Sequence, residues 1–158
     1  MKNHNFFLNG EEGENSFTLV FKQPLMLKPE DSVIFNMVNI QFQPQAGYLK
    51  KKFAVMTDLP IKTFHTKPST LGSRTGVEDR ILAFVPPTVR ADDSMDDPGG
   101  GLPGVAGRTY EPYQPVVHHL ENNPVSLNAI NFRIVDGETL EPFPNITHFS
   151  LSMTIMCP

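Results

Sequence analysis

The chain has 158 residues, enough for one domain that buries roughly two-thirds of the surface its unfolded form exposes. Its 39% hydrophobic and 19% charged content is that of a globular chain and excludes intrinsic disorder, while a net charge of −4 lacks the basic excess of a general nucleic-acid or anionic-membrane binder. No run of about 18 apolar residues is present to span a membrane as a helix, and 15 prolines with 11 glycines leave little room for helices of any kind.

The opening Met1-Lys2-Asn3-His4-Asn5 lacks the apolar core of a signal peptide. Cys157 is the only cysteine, so no internal disulfide can form, which fits assembly in a reducing compartment. Asn145-Ile146-Thr147 matches a glycosylation sequon and, without a secretory signal, reads as a chance match.

In chain order, the first strong signal is residues 16–21, where Phe17, Leu19 and Phe21 alternate with polar neighbours until Gln23-Pro24 breaks the pattern. Residues 32–42 form a longer run whose two faces, Val33/Phe35/Met37 and Ile34/Val38/Ile40/Phe42, are both largely apolar. Such a strand is expected to be covered on both sides. Shorter β-like runs lie at 52–57, 61–65, 80–85 and 113–120. Residues 90–107, with Asp92-Asp93, Asp96-Asp97 and Pro98-Gly99-Gly100-Gly101, cannot build a core and read as a long mobile loop.

Two clear strands close the sequence. Residues 128–134 turn Ile130, Phe132 and Ile134 inward, and residues 147–155 sort Phe149, Leu151, Met153 and Ile155 from His148, Ser150, Ser152 and Thr154. Asp136-Gly137 and the prolines at 142 and 144 connect them. About eight turn-separated strands predict an all-β fold, an antiparallel two-sheet sandwich or single jelly roll over residues 1–158.

Chemistry is harder to find. His118 and His119 are adjacent in a presumed strand and so point to opposite faces, which is poor geometry for joint chelation. Asp92–Asp97 lacks the glycine and distal glutamate of a calcium loop. Gly72-Ser73-Arg74-Thr75-Gly76 and the run from Gly99 to Gly104 lack a lysine and a following helix to cradle a phosphate. No Gly-x-Ser-x-Gly elbow occurs, and Cys157 is poorly placed as a nucleophile. No catalytic, metal or cofactor-binding residue is predicted. Lys50, Lys51 and Lys52 form the one basic cluster, read either as a solvated turn or as a contact loop for nucleic acid or an acidic neighbouring subunit.

Three stretches together resemble a known group. Residues 16–29, in which an apolar strand runs into Pro24-Leu25-Met26-Leu27, are similar to the opening of small capsid proteins of polinton-like viruses and virophages. Asp58-Leu59-Pro60-Ile61-Lys62 and residues 80–86 resemble two linked strand segments of that group. Tyr110-Glu111-Pro112, residues 120–124 and residues 127–137 resemble its C-terminal pattern, which continues into an alternating last strand as at 149–155. The resemblance implies a single jelly roll acting as a penton (vertex) or minor capsid protein. It also implies a homo-oligomer, a pentamer before a trimer, docked to the major capsid protein in the virion and made and assembled inside the host cell. Neither membrane insertion nor nucleic acid is part of that expectation.

Under this reading the doubly apolar run supplies the subunit interface, through whichever of Val38, Ile40 and Phe42 is exposed in the isolated subunit. A ligand- or receptor-binding jelly roll, such as a virion spike or fibre head using Tyr110, Tyr113 and the Asp-rich segment, is the alternative of a different class. A cupin-type enzyme would need clustered histidines, and His65, His118, His119 and His148 lack that spacing.

Overall fold

The structure is a computed structural model, and it describes residues 2–10, 16–42, 51–68, 74–86, 106–120, 123–142 and 146–158. Among these residues there is no helix, and the elements are β1 (Lys2–Gly10), β2 (Ser16–Leu27), β3 (Ser32–Phe42), β4 (Phe53–Thr57), β5 (Thr63–Pro68), β6 (Arg74–Asp79), β7 (Ile81–Val85), β8 (Ala106–Tyr110), β9 (Val116–His119), β10 (Val125–Asp136) and β11 (Ile146–Cys157). The four strands predicted in the short runs correspond to β4, β5, β7 and β9. Alternation gave no sign of β1, β6 or β8.

The strands pair antiparallel in a nested order: β1 with β11, β2 with β10, β3 with β8 and β9, β4 with β7. These pairs split into a first sheet ordered β1-β11-β3-β8, with β9 also on β3, and a second sheet ordered β2-β10-β4-β7. This is the jelly roll expected from the sequence, a long two-stranded ribbon rolled until its inward rows face each other. β5 and β6 form a separate hairpin. Of the predicted loop over 90–107, residues 90–105 lie outside the described residues; its last two, Ala106 and Gly107, belong to β8 and pair with β3.

The inward rows form one core that includes Val33, Phe35, Val38, Ile40, Phe42, Ile130, Phe132, Ile134, Phe149, Leu151, Met153 and Ile155. Aromatic rings tie the sheets together: Phe17, stacked at 5.0 Å on its β10 neighbour Phe132, lies 4.8 Å from Phe149 of the other sheet, and Phe42 meets Phe53 edge-on at 5.5 Å. Phe17, Leu19 and Phe21 face inward as predicted. They are only half-buried, because β2 is an edge strand. Gly10 pairs with Phe149, and any Cβ there would run into that ring, so the glycine makes room for the aromatic packing.

The doubly apolar appearance of β3 has a different cause from the one expected. Ser152 of β11 pairs with Met37 while Met153 pairs with Phe35, so Asn36 is an extra residue on β3. This β-bulge resets the alternation. Val33 and Phe35 point inward before it, and Val38, Ile40 and Phe42 point inward after it. The strand covered on both faces is instead β4. Its Phe53 and Val55 join the main core, while Ala54 and Met56 join a second cluster with Ile81 and Val135, packed against Phe84 and Leu140. Pro24 is also accommodated by an irregularity: Val20 and Leu25 of β2 lie opposite Ala129 and Leu127 of β10, with the intervening residues outside the ladder at the sheet edge.

The turn after β10 is held by Asp136. Its Oδ1 accepts from the Glu138 and Thr139 N–H groups at 2.8 and 3.2 Å, and its Oδ2 accepts from Lys51 Nζ at 2.9 Å. Gly137 donates its N–H to the Lys52 carbonyl at 2.6 Å, an approach too close for a side chain. Burial raises the Asp136 pKa, but the Lys51 and backbone hydrogen bonds and the Lys51 charge outweigh it and hold the carboxyl below its ordinary value.

Two outcomes follow from this packing. Phe132→Ala, at a fully buried position stacked on Phe17, is expected to lower the unfolding free energy in a urea titration by about 3–5 kcal/mol, and a loss below about 1 kcal/mol would contradict the core assignment. Asp136, with its lowered folded pKa, contributes stability that is present above its ordinary value of 3.8 and disappears as pH falls through the folded value. The stability gap between wild type and Asp136→Asn should therefore be constant near neutrality and close below about pH 4; a gap independent of pH would refute the ion pair.

Candidate interaction surface

Among the described residues no three His, Cys, Asp or Glu side chains gather where they could hold a metal ion. Asp92–Asp97 and the run from Gly99 to Gly104 lie outside the described residues, and Arg74, Thr75 and Gly76 are part of β6, paired with Pro68, Lys67 and Thr66. His118 and His119 do point to opposite faces of β9. His118 Nε2 lies 2.6 Å from the Leu82 carbonyl oxygen, and His119 Nδ1 lies 3.4 Å from Ser32 Oγ. Leu82 is an extra residue in the β4–β7 ladder, since Val55 pairs with Ala83 and Met56 with Ile81. His118 therefore meets a bulge carbonyl and links the two sheets along the β7/β9 side. His148 stands on the outer side of β11, paired with Gln41, and His65 lies in β5, paired with Val77.

Burial pushes the Cys157 thiol above its ordinary value, and the negative charge and hydrogen bond of Asp31 push the same way. A thiol shifted in this direction is a weak nucleophile at neutral pH.

The basic cluster is partly engaged within the chain. Lys51 pairs with Asp136, and the Lys52 ammonium lies over the Phe84 ring, 4.6 Å from its centre. Lys50 lies outside the described residues.

Val38, Ile40 and Phe42 are fully buried between the sheets, which corrects the expectation that one of them is exposed on the isolated subunit. The bulge at Asn36 turns all three inward, so they fill this subunit's own core and offer no surface to a neighbour.

Exposed apolar surface lies elsewhere. Phe7 on β1 is 77% exposed, and Val20 and Met26 on β2 are 71% and 61% exposed. β1 and β2 are the edge strands on one side of the sandwich, where Phe6 and Phe21 meet edge-on at 6.0 Å and close the gap between the sheets. Phe7 occupies an outward position on the first sheet, and Val20 and Met26 occupy outward positions on the second. The signal was available in the sequence for Val20: once Phe17, Leu19 and Phe21 are inward, an apolar residue stands in a slot that a solvated strand fills with a polar one. Edge strands of nine and twelve residues also present unpaired backbone groups, which invites pairing or cover by another chain.

No protein-family model matches the chain, and no curated protein matches it in sequence. Its fold is similar to that of the mavirus penton protein, known from a crystal structure of the selenomethionine-labelled form, with a TM-score of 0.62. The correspondence covers 98% of this chain and 99% of that one, at 6% sequence identity. At that identity the likeness is one of fold, and it bears out the jelly roll.

Proposed function

We propose that this chain is a structural subunit of a viral capsid, a penton or other minor capsid protein that acts through its contacts and carries no catalysis. The observation that supports this reading is the end-to-end correspondence of its fold with the mavirus penton protein, over 98% of one chain and 99% of the other. The exposed apolar residues flanking the β1/β2 side are in keeping with a surface meant to be covered, since solvated strands normally place polar residues at such positions.

In this reading the protein works in the virion as a closed ring, five copies before three, docked to the major capsid protein of the same virus. A ring repeats one heterologous contact and closes on itself, so apolar surface is buried without an open-ended fibre.

Native mass spectrometry and negative-stain imaging of the purified protein test the proposal. Five-fold rings that co-purify with the major capsid protein are the expected result. A trimer would move the assignment to a spike or capsomer. A chain that stays monomeric at high concentration and does not bind the major capsid protein would overturn the proposal and favour a ligand-binding module.

A further inference from the structure

The edges of the two sheets are guarded unequally. An exposed edge strand carries a row of unpaired N–H and C=O groups that another strand can join, and folded proteins blunt it with short strands, prolines, irregular pairing or lysines. β2 has three of these devices: Pro24, the exposed Lys22, and the break in its ladder between Val20 and Leu25. On the opposite side of the sandwich β8, β9 and β7 are five, four and five residues long, and Pro86 follows β7 directly. β1 is built differently. It is nine residues long, holds no proline, pairs with β11 in unbroken register from Lys2 to Gly10, and keeps its one formal charge at its first residue. Among the described residues no strand pairs with its other side.

The side chains of β1 show the same openness. Phe6 points inward and meets Phe21 edge-on yet is only half-buried, and His4 on the same inward row is exposed. A strand added beside β1 would bring an inward row of its own to cover Phe6. On the outward row Asn5, Phe7 and Asn9 lie beside Thr154, Ser152 and Ser150 of β11, with no charged side chain among them. A partner strand with a charge at these positions would give up water and find no ion to pair with.

β1 itself meets these requirements. Laid antiparallel on a second β1 about a two-fold axis at Phe7, the strand sets Phe7 against Phe7, Phe6 against Leu8, Asn5 against Asn9 and His4 against Gly10. Apolar groups then face apolar groups and amides face amides on each side of the sheet, and Lys2 falls outside the ladder, so no like charges meet. We propose that β1 of one copy pairs with β1 of a second copy in this register, joining their first sheets into one. Main-chain hydrogen bonds supply the contact and the alternate side chains set its register. The contact is isologous, and so separate from the heterologous contact that closes a ring; it does not rest on the ring.

A charge on a two-fold axis meets itself, so the test uses Phe7→Glu and Phe7→Lys, each checked by circular dichroism for an unchanged melting transition. Phe7 is an exposed side chain, and its replacement leaves the core intact. In light scattering at low salt the wild type should have at least twice the mass of either variant alone. An equimolar mixture of the two variants should regain the wild-type mass, because glutamate then faces lysine. In the unsubstituted chain, amide hydrogen exchange in β1 should slow as protein concentration rises, while β7 stays unchanged. A mixture no larger than its components, or a wild type equal in mass to Phe7→Glu, would overturn the pairing. Binding of the major capsid protein by such a wild type and not by Phe7→Glu would overturn it too, and assign the edge to that partner. The mass of the variants, monomer or five-fold ring, reports on the ring independently.

Discussion

The two sheets are held together through Phe149, whose ring lies over Gly10, meets Phe17 of the opposite sheet at 4.8 Å and is fully buried. A ring can occupy this position only if three strands keep their phase: β11 must turn Phe149 inward, β2 must turn Phe17 toward it, and β1 must present a residue without a side chain beneath it. Strand phase is all-or-none, because a slip of one residue would expose every buried side chain on that strand. The bulge at Asn36 belongs to the same constraint. Without the extra residue, β3 could not keep both Phe35 and Val38 in the core that Phe149 anchors.

The polar positions complete the packing. Asp58 continues the β4–β10 ladder beyond its last backbone pair, accepting from the Asn131 N–H and side-chain amide at 2.9 and 2.6 Å, while Arg80 donates to the Asp58 carbonyl at 3.0 Å. Asp31 closes the turn between β2 and β3 by accepting from the Lys28 N–H at 2.8 Å. Asp136 organises the turn after β10 and brings Leu140 onto the second apolar cluster, in the left-handed backbone region at φ 61°. These short side-chain bonds fix the turns that a β-rich chain needs, and each satisfies backbone groups that would otherwise lose their water.

A function carried by contacts places different demands on a fold from one carried by catalysis. Core residues must be spent inside the subunit, and whatever meets a neighbour must be apolar enough to bind yet sparse enough to remain soluble alone. In this chain the buried and the exposed apolar residues are distinct sets. Val38, Ile40 and Phe42 are consumed by the core, whereas Phe7 stands beside Ser152 on one outer face, and Val20 and Met26 stand beside Ala129, Ser126 and the exposed Lys22 on the other.

The sequence alone determined the fold class and the inward rows of β10 and β11, because period-two alternation is a local property that survives without knowledge of partners. It also determined that His118 and His119 diverge, since neighbours on a strand must. It did not reveal β1, where Phe6 and Leu8 are the only inward apolar side chains, nor β8, whose Ala106 and Gly107 read as loop until they pair with β3. The decisive gap was β3. Two apolar faces in a sequence can mean a strand covered on both sides, or a strand with one covered face and a bulge. Only the register against β11, an interaction between residues more than a hundred positions apart, distinguishes them. Burial of Val38, Ile40 and Phe42, and with it the location of the exposed apolar surface at Phe7 and Val20, was decided by that tertiary pairing, because a bulge exists only relative to a partner strand.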